Sequence, residues 1–165
     1  MGSFRDRIYH RIYSIDFPTQ TRTRPMEVIA VGISRSGTES LREALQMLGI
    51  SPTWHGYDSL LRPSSLQAWY HLQTRKWRHG REGGKPTTDM KLSRGDFDKI
   101  IGSQVGITDL PAAAFARELI AAYPEAKVIL NVRSDRQRWA CSFAETLGVF
   151  EKDRWDWDWC KSWFR

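Results

Sequence analysis

The stretch that most constrains the fold is residues 28–48, VIAVGISRSGTESLREALQML. It opens on an apolar run, Val28-Ile29-Ala30-Val31, with the length and β-branched content of a buried strand. Gly32 to Thr38 follows as a turn, and a helix then sets Leu41, Ala44, Leu45 and Leu48 on one face. Strand, glycine-bounded turn and helix in this order aim the turn's amides and the helix N-terminus at one spot, and that spot favours an anion. Gly32 and Gly37 suit a backbone that must approach the anion closely or adopt a positive φ. The competing reading is a tight strand–helix turn that holds nothing.

What the loop lacks narrows the choice of anion. Gly32 and Gly37 keep the spacing of the triphosphate loop G-x-x-x-x-G-K-[ST], but Thr38 stands at the lysine position and Glu39 at the Ser/Thr position. No hydroxyl is placed to hold Mg²⁺ in the usual way, and a carboxylate is a poor neighbour for a triphosphate. The cation has moved inside the loop, to Arg35. A P-loop NTPase or kinase is therefore the weaker reading, and an anion handled without a metal is the stronger one.

The remaining elements follow in a readable order. Ser51 to Tyr57 reads as a short extended segment and turn, and helical periodicity from Ser59 to Trp77 breaks near Pro63. Residues 78–92 are polar, basic and glycine-rich and read as a loop. Ser93 is placed to cap a helix over 94–101, which Gly102 closes. Gln104–Thr108 is a short strand, and a helix runs from Asp109-Leu110-Pro111 to Tyr123 with Asp109 as its N-cap candidate. Lys127–Val132 reads as a strand buried on both faces, and Arg133 leads into a helix carrying Trp139, Phe143 and Leu147. This order predicts a three-layer α/β fold of the P-loop type, with a mostly parallel central sheet and helices on both faces. Ligands in such sheets lie beyond the carboxyl ends of the strands. The 32–38 loop, Asp109 and Arg133 should then share one rim.

At 165 residues there is room for one domain, expected over 26–165, preceded by a basic arm over 1–25. Phe4, Ile8, Tyr9 and Ile12 of that arm fit one helical face among arginines, which suits either a weak membrane-surface contact or packing on the domain. The net charge of +6 suits an anionic ligand, and with neither an RNA-binding signature nor zinc-finger spacing, no nucleic-acid partner is expected. Two cysteines, Cys141 and Cys160, fit a reducing compartment rather than a disulfide framework. There is no eighteen-residue apolar run and no signal peptide, and Asp6 stands where a myristoylation site needs Ser or Thr, so the expected location is cytoplasmic without a lipid anchor. The histidines have no metal-ligand spacing, and no metal is expected.

Four segments together carry a resemblance. Gly32–Leu41 reads Gly-x-x-Arg-x-Gly-Thr-x-Ser-Leu, Trp54-His55-Gly56 follows, then Thr108–Phe115 (Thr-Asp-x-Pro-Ala-Ala-Ala-Phe), then Val128–Arg133 (Val-Ile-Leu-x-Val-Arg). In this order, over about residues 26–150, they resemble the fungal-type sulfotransferase-like branch of the PAPS-dependent sulfotransferases (PAPS is 3′-phosphoadenosine 5′-phosphosulfate). The resemblance implies PAPS as co-substrate, no metal, and sulfuryl transfer to a hydroxyl or amine of a small acceptor. It implies that Gly32, Ser34, Arg35, Ser36, Gly37 and Thr38 hold the 5′-phosphosulfate and that Arg133 and Ser142 hold the 3′-phosphate, a pairing that a terminal phosphate's need for a guanidinium and a hydroxyl supports.

The better-known members carry lysine where Arg35 stands. An arginine can stabilise charge on the leaving phosphate but does not readily give up a proton. His55 and Asp109 are the candidates to deprotonate the acceptor. Each candidate has a plainer reading: His55 as a turn histidine packed on aromatics, Asp109 as a helix cap, Arg133 as a partner of Asp135, Ser142 as an ordinary helix serine. Sulfotransferases continue past the 3′-phosphate helix, whereas this chain reaches Arg165 through Trp155, Trp159 and Trp163 with no cap. The expectation is that a C-terminal part is missing, and the alternative function is a non-catalytic remnant that keeps the anion site.

Overall fold

The computed structural model describes residues 17–78 and 92–147. The apolar face expected at 4–12, nearly all of the 78–92 loop and the tryptophan-rich stretch after 150 lie outside the described residues. Four short strands, β1 (Val28–Ala30), β2 (Thr53–Trp54), β3 (Gly106–Ile107) and β4 (Lys127–Ile129), form one sheet in the order β2-β3-β1-β4, with every pair parallel. Seven helices accompany them among the described residues: α1 (Thr38–Met47), α2 (Gly56–Leu60), α3 (Pro63–Arg78), α4 (Arg94–Ile101), α5 (Asp109–Ala114), α6 (Ala116–Ala122) and α7 (Arg136–Thr146). This is the α/β fold with a parallel sheet that the order of elements predicts.

β1 is central, with Ile29 set against Ile107 of β3 on one side and Val128 of β4 on the other. All three of its residues are buried, as an apolar run flanked by two strands requires. The turn at its carboxyl end therefore opens in the middle of the sheet, between the exits of β3 and β4. The main core packs Ile29, Trp54 and Ile107 against Trp69, Phe97, Phe115, Leu119 and Tyr123. Phe115 sits 5.5 Å from Trp69 and 5.9 Å from Phe97, centroid to centroid, which ties α3 and α4 to the α5–α6 junction.

Three expectations need correction. α1 buries Thr38 and Leu45 and half-buries Leu41, whereas Ala44 and Leu48 face solvent. The helix lies mainly against the two-residue β2, so only a narrow stripe spaced three and four residues apart is covered. β4 is not buried on both faces. Among the described residues it pairs with β1 alone and stands at the sheet's edge, and Val128, Leu130 and Val132, which alternate along it, are exposed at 47%, 69% and 73%. Asp109 is not a cap: Thr108 occupies that position, Asp109 begins α5 with φ 69°, and the expected single helix divides at Phe115.

Residues 17–25 lie along the domain. Arg22 pairs with Asp98, donates to the Gln104 carbonyl at 2.7 Å and covers the Tyr123 ring at 5.0 Å, and Gln20 donates to the Ile100 carbonyl. Burial and the hydrogen bond to Asp98 push the Tyr123 hydroxyl well above its ordinary range.

Ser93 caps α4 as its sequence predicts. Its hydroxyl accepts the Asp96 N–H while the Asp96 carboxylate accepts the Ser93 N–H at 2.8 Å. Burial pushes the Asp96 carboxyl up, but the Arg75 guanidinium at 2.9 Å and the Ser93 donors outweigh it and hold the group below its ordinary 3.8. A carboxyl lower in the folded than in the unfolded chain stabilises above its ordinary value and loses that contribution as pH falls through the lowered one. Ser93→Ala should cost about 0.5–2 kcal/mol. Asp96→Asn should lose stability near neutral pH and show a shallower acid limb. Urea unfolding at several pH values checks both, and an acid limb unchanged in Asp96→Asn would contradict the assignment.

Candidate functional site

The turn after β1 is fixed from two sides. On the β3 side, Asp109 Oδ1 accepts the Ser34 hydroxyl at 2.7 Å and the Thr38 hydroxyl at 3.4 Å. Ser34, Thr38 and Asp109 are all buried, so these bonds replace water that cannot reach the groups. Asp109 Oδ2 faces His55 Nδ1 at 3.7 Å. Behind it lies Gly56, where a Cβ would stand 2.1 Å from Oδ2. That position is glycine because the carboxylate fills the space a side chain would take.

His55 caps α2. Its Nδ1 accepts the Tyr57 N–H at 3.2 Å, and Asp58 accepts the His55 N–H at 2.8 Å. Its Nε2 lies 3.2 Å from both the Thr38 hydroxyl and the Glu39 carboxylate. With Nδ1 accepting a backbone N–H, a neutral ring carries its proton on Nε2, which then donates to the Thr38 hydroxyl with the Glu39 carboxylate alongside. The ring also packs against Tyr57 at 4.8 Å, as an aromatic-packed turn histidine would.

On the β4 side, the Asn131 carboxamide accepts the Gly32 N–H at 3.2 Å and donates to the Ser36 hydroxyl at 2.8 Å. Trp139 of α7 donates its indole N–H to the Ser34 carbonyl at 2.9 Å. Arg35 Nε donates to the Ser142 hydroxyl at 3.0 Å, and Arg133 donates to the Arg35 carbonyl at 3.3 Å. Arg35 is thus half-buried and turned toward α7, with φ 67°, instead of standing at an exposed loop tip. Asp135 does not pair with Arg133. It caps α7 through the Arg138 N–H and lies 3.4 Å from the Arg138 guanidinium.

The eight residues assigned to anion binding and the two base candidates therefore stand on one rim. Gly32, Ser34, Arg35, Ser36, Gly37 and Thr38 form the loop, His55 and Asp109 flank it on one side, and Arg133 and Ser142 touch Arg35 on the other. Ser36 N–H turns back to the Ile33 carbonyl, whereas among the described residues the amides of Ile33, Ser34, Arg35, Gly37 and Thr38 have no protein acceptor. Asn131 and Trp139 join the site without having been site candidates in the sequence, and Glu39, which the loop pattern already marks, lies beside His55. The signal for Asn131 was there to see, as the polar residue inside Val128–Val132. A cavity of about 350 Å³ beside Phe17, His71, Leu72 and Lys99 is lined by no residue of this rim.

A model described as the sulfotransferase domain matches residues 27–165. The chain belongs to the sulfotransferase domain family. It is also similar to a protein named Ava biosynthesis cluster protein M from Aspergillus versicolor, 38% identical over 123 residues, covering 74% of this chain and 43% of that relative. The chain thus spans less than half of that relative's length. Within the sulfotransferase domain, the four segments read in the sequence all reach the rim: Ser34 to Thr38, His55 with Gly56, Asp109, and Asn131 to Arg133. No described helix is long and apolar enough to cross a membrane.

Asp109 is the test of how the loop is held. Asp109→Ala leaves the buried Ser34 and Thr38 hydroxyls without their acceptor and should cost about 1–3 kcal/mol in urea unfolding. Asp109→Asn keeps an acceptor oxygen in a residue that tolerates positive φ and should cost less. An alanine variant as stable as the parent would show that the two hydroxyls find other partners.

Proposed function

We propose that the rim binds PAPS and that the protein transfers its sulfuryl group to a hydroxyl or amine of a small acceptor. The observation that carries this reading is that loop amides with no acceptor among the described residues lie together with two guanidinium groups, Arg35 and Arg133, at the N-terminus of a ten-residue helix. The residues fit such a ligand. Bound there, PAPS would supply an activated sulfuryl group on a phosphate leaving group. The amides of Ser34, Arg35, Gly37 and Thr38 are free to donate to the 5′ end, and the Arg35 guanidinium, anchored through Nε on Ser142, can stabilise developing charge without moving. Arg133 and Ser142 receive the 3′-phosphate; the serine hydroxyl can accept from Arg35 and still donate its own proton onward.

On this reading Asp109 and His55 serve mainly to position the loop. Asp109 Oδ1 already takes two hydroxyls, and both His55 ring nitrogens are engaged. The same observation favours a second reading, donor binding without transfer by this stretch of chain. No metal enters either reading. Glu39 in the first turn of α1, 3.2 Å from His55, disfavours a triphosphate. The relative's name places it in a biosynthesis cluster, which accords with a small-molecule acceptor. We take 26–165 as the functional unit and the cytoplasm as its location, with the 1–25 arm available for a membrane surface.

The adenosine bisphosphate product, PAP, should bind more tightly than AMP by about tenfold or more, since one charge-assisted hydrogen bond contributes roughly 1.5–3 kcal/mol. The preference should shrink in Arg133→Ala, and ATP with Mg²⁺ should bind weakly. Isothermal titration of the four cases checks this. Equal affinity for PAP and AMP in the parent, or Mg²⁺-dependent ATP binding, would overturn the assignment, and label transfer from [³⁵S]PAPS to phenol, amine and carbohydrate acceptors separates the two readings.

A further inference from the structure

We propose that Asn131 is a positioning residue that sets the shape of the anion loop, and that position 32 is glycine because of Asn131. The inference rests on the reading of the loop as the anion site. Asn131 lies two residues beyond the edge strand β4, and its carboxamide spans the turn. Oδ1 accepts the Gly32 N–H at 3.2 Å, and Nδ2 donates to the Ser36 hydroxyl at 2.8 Å and to the Ser36 carbonyl at 3.3 Å. One side chain therefore ties the start of the turn to a residue near its end, and its orientation is settled by chemistry. Flipped, it would set Nδ2 against the Gly32 N–H and Oδ1 against the Ser36 carbonyl. Aspartate would keep the first bond and replace the second with repulsion.

The two loop glycines are glycine for different reasons. Gly37 has φ +85° and open space where a Cβ would be, so conformation dictates it. A Cβ at Gly32 would stand 2.2–2.3 Å from three atoms of the Asn131 carboxamide. Space dictates that position, and the space is taken by the residue that orders the turn. With the turn held in this way, the amides of Ile33, Ser34, Arg35, Gly37 and Thr38 have no acceptor among the described residues. Anion binding then needs little reorganisation.

The consequence is a coupling between two positions 99 residues apart in sequence. Gly32→Ala should weaken PAP binding by about tenfold or more and shift the amide resonances of 33–38. Asn131→Ala should do the same, and Asn131→Asp at least as much. In the Asn131→Ala background, Gly32→Ala should add little to either effect, because the atoms it strikes are gone. Thermal midpoints of the four chains follow the same cycle and need no ligand. Asn131→Ala binding PAP like the parent with unmoved loop amides, or Gly32→Ala equally harmful in both backgrounds, would overturn the proposal. If the parent does not bind PAP, the anion-site reading fails, and the loop resonances and thermal cycle still decide whether Asn131 shapes the turn.

Discussion

Two hydroxyls of the glycine turn share one carboxylate oxygen, and much of the site depends on that arrangement. Ser34 and Thr38 both donate to Oδ1 of Asp109. A buried carboxylate needs polar partners, and here Oδ1 takes two of them from the loop it has to hold. The same carboxylate excludes a side chain at Gly56 and faces His55, so the exits of β1, β2 and β3 are joined through one residue. Asn131, Arg133, Trp139 and Ser142 join the remaining exit, that of β4, to the other side of the turn. The loop is thus held by polar contacts from residues at adjacent strand exits, which the parallel sheet brings together.

This order has an energetic cost at two places. Arg35 and Asp109 both hold positive φ, at 67° and 69°, in a region that residues other than glycine seldom occupy. Such conformations cost about 1–3 kcal/mol each and persist only where the surroundings over-determine them. Arg35 has its Nε on Ser142 and its carbonyl under Arg133, and Asp109 has two hydroxyls on one oxygen. The two strained residues are therefore among the best tethered of the rim.

The parts of this arrangement legible in the sequence are those that depend on local spacing. The strand, glycine turn and helix at 28–48 and the capped helix after Ser93 follow from a few adjacent residues, and the alternation of strands and helices places the turn, Asp109 and Arg133 on one rim. What was not legible depends on neighbours far along the chain. An aspartate opening a helix reads as a cap; that its carboxylate reaches back to Ser34 follows from β3 lying beside β1. Asn131 reads as a polar interruption of a strand until β4 takes its place on the other side of β1. The apolar run Val128–Val132 looks central for the same reason, since composition does not distinguish an edge strand from an inner one when partners lie elsewhere. His55 was legible as a residue near the rim, whereas the engagement of both its ring nitrogens was not.

The most direct measurement is amide chemical-shift mapping of the protein during a PAP titration. The largest changes should fall on residues 33–38, with smaller ones at Arg133 and Ser142, and the pattern should saturate as a single site. Changes centred on the cavity beside Phe17, His71 and Lys99, or no change in the loop at saturating PAP, would contradict it.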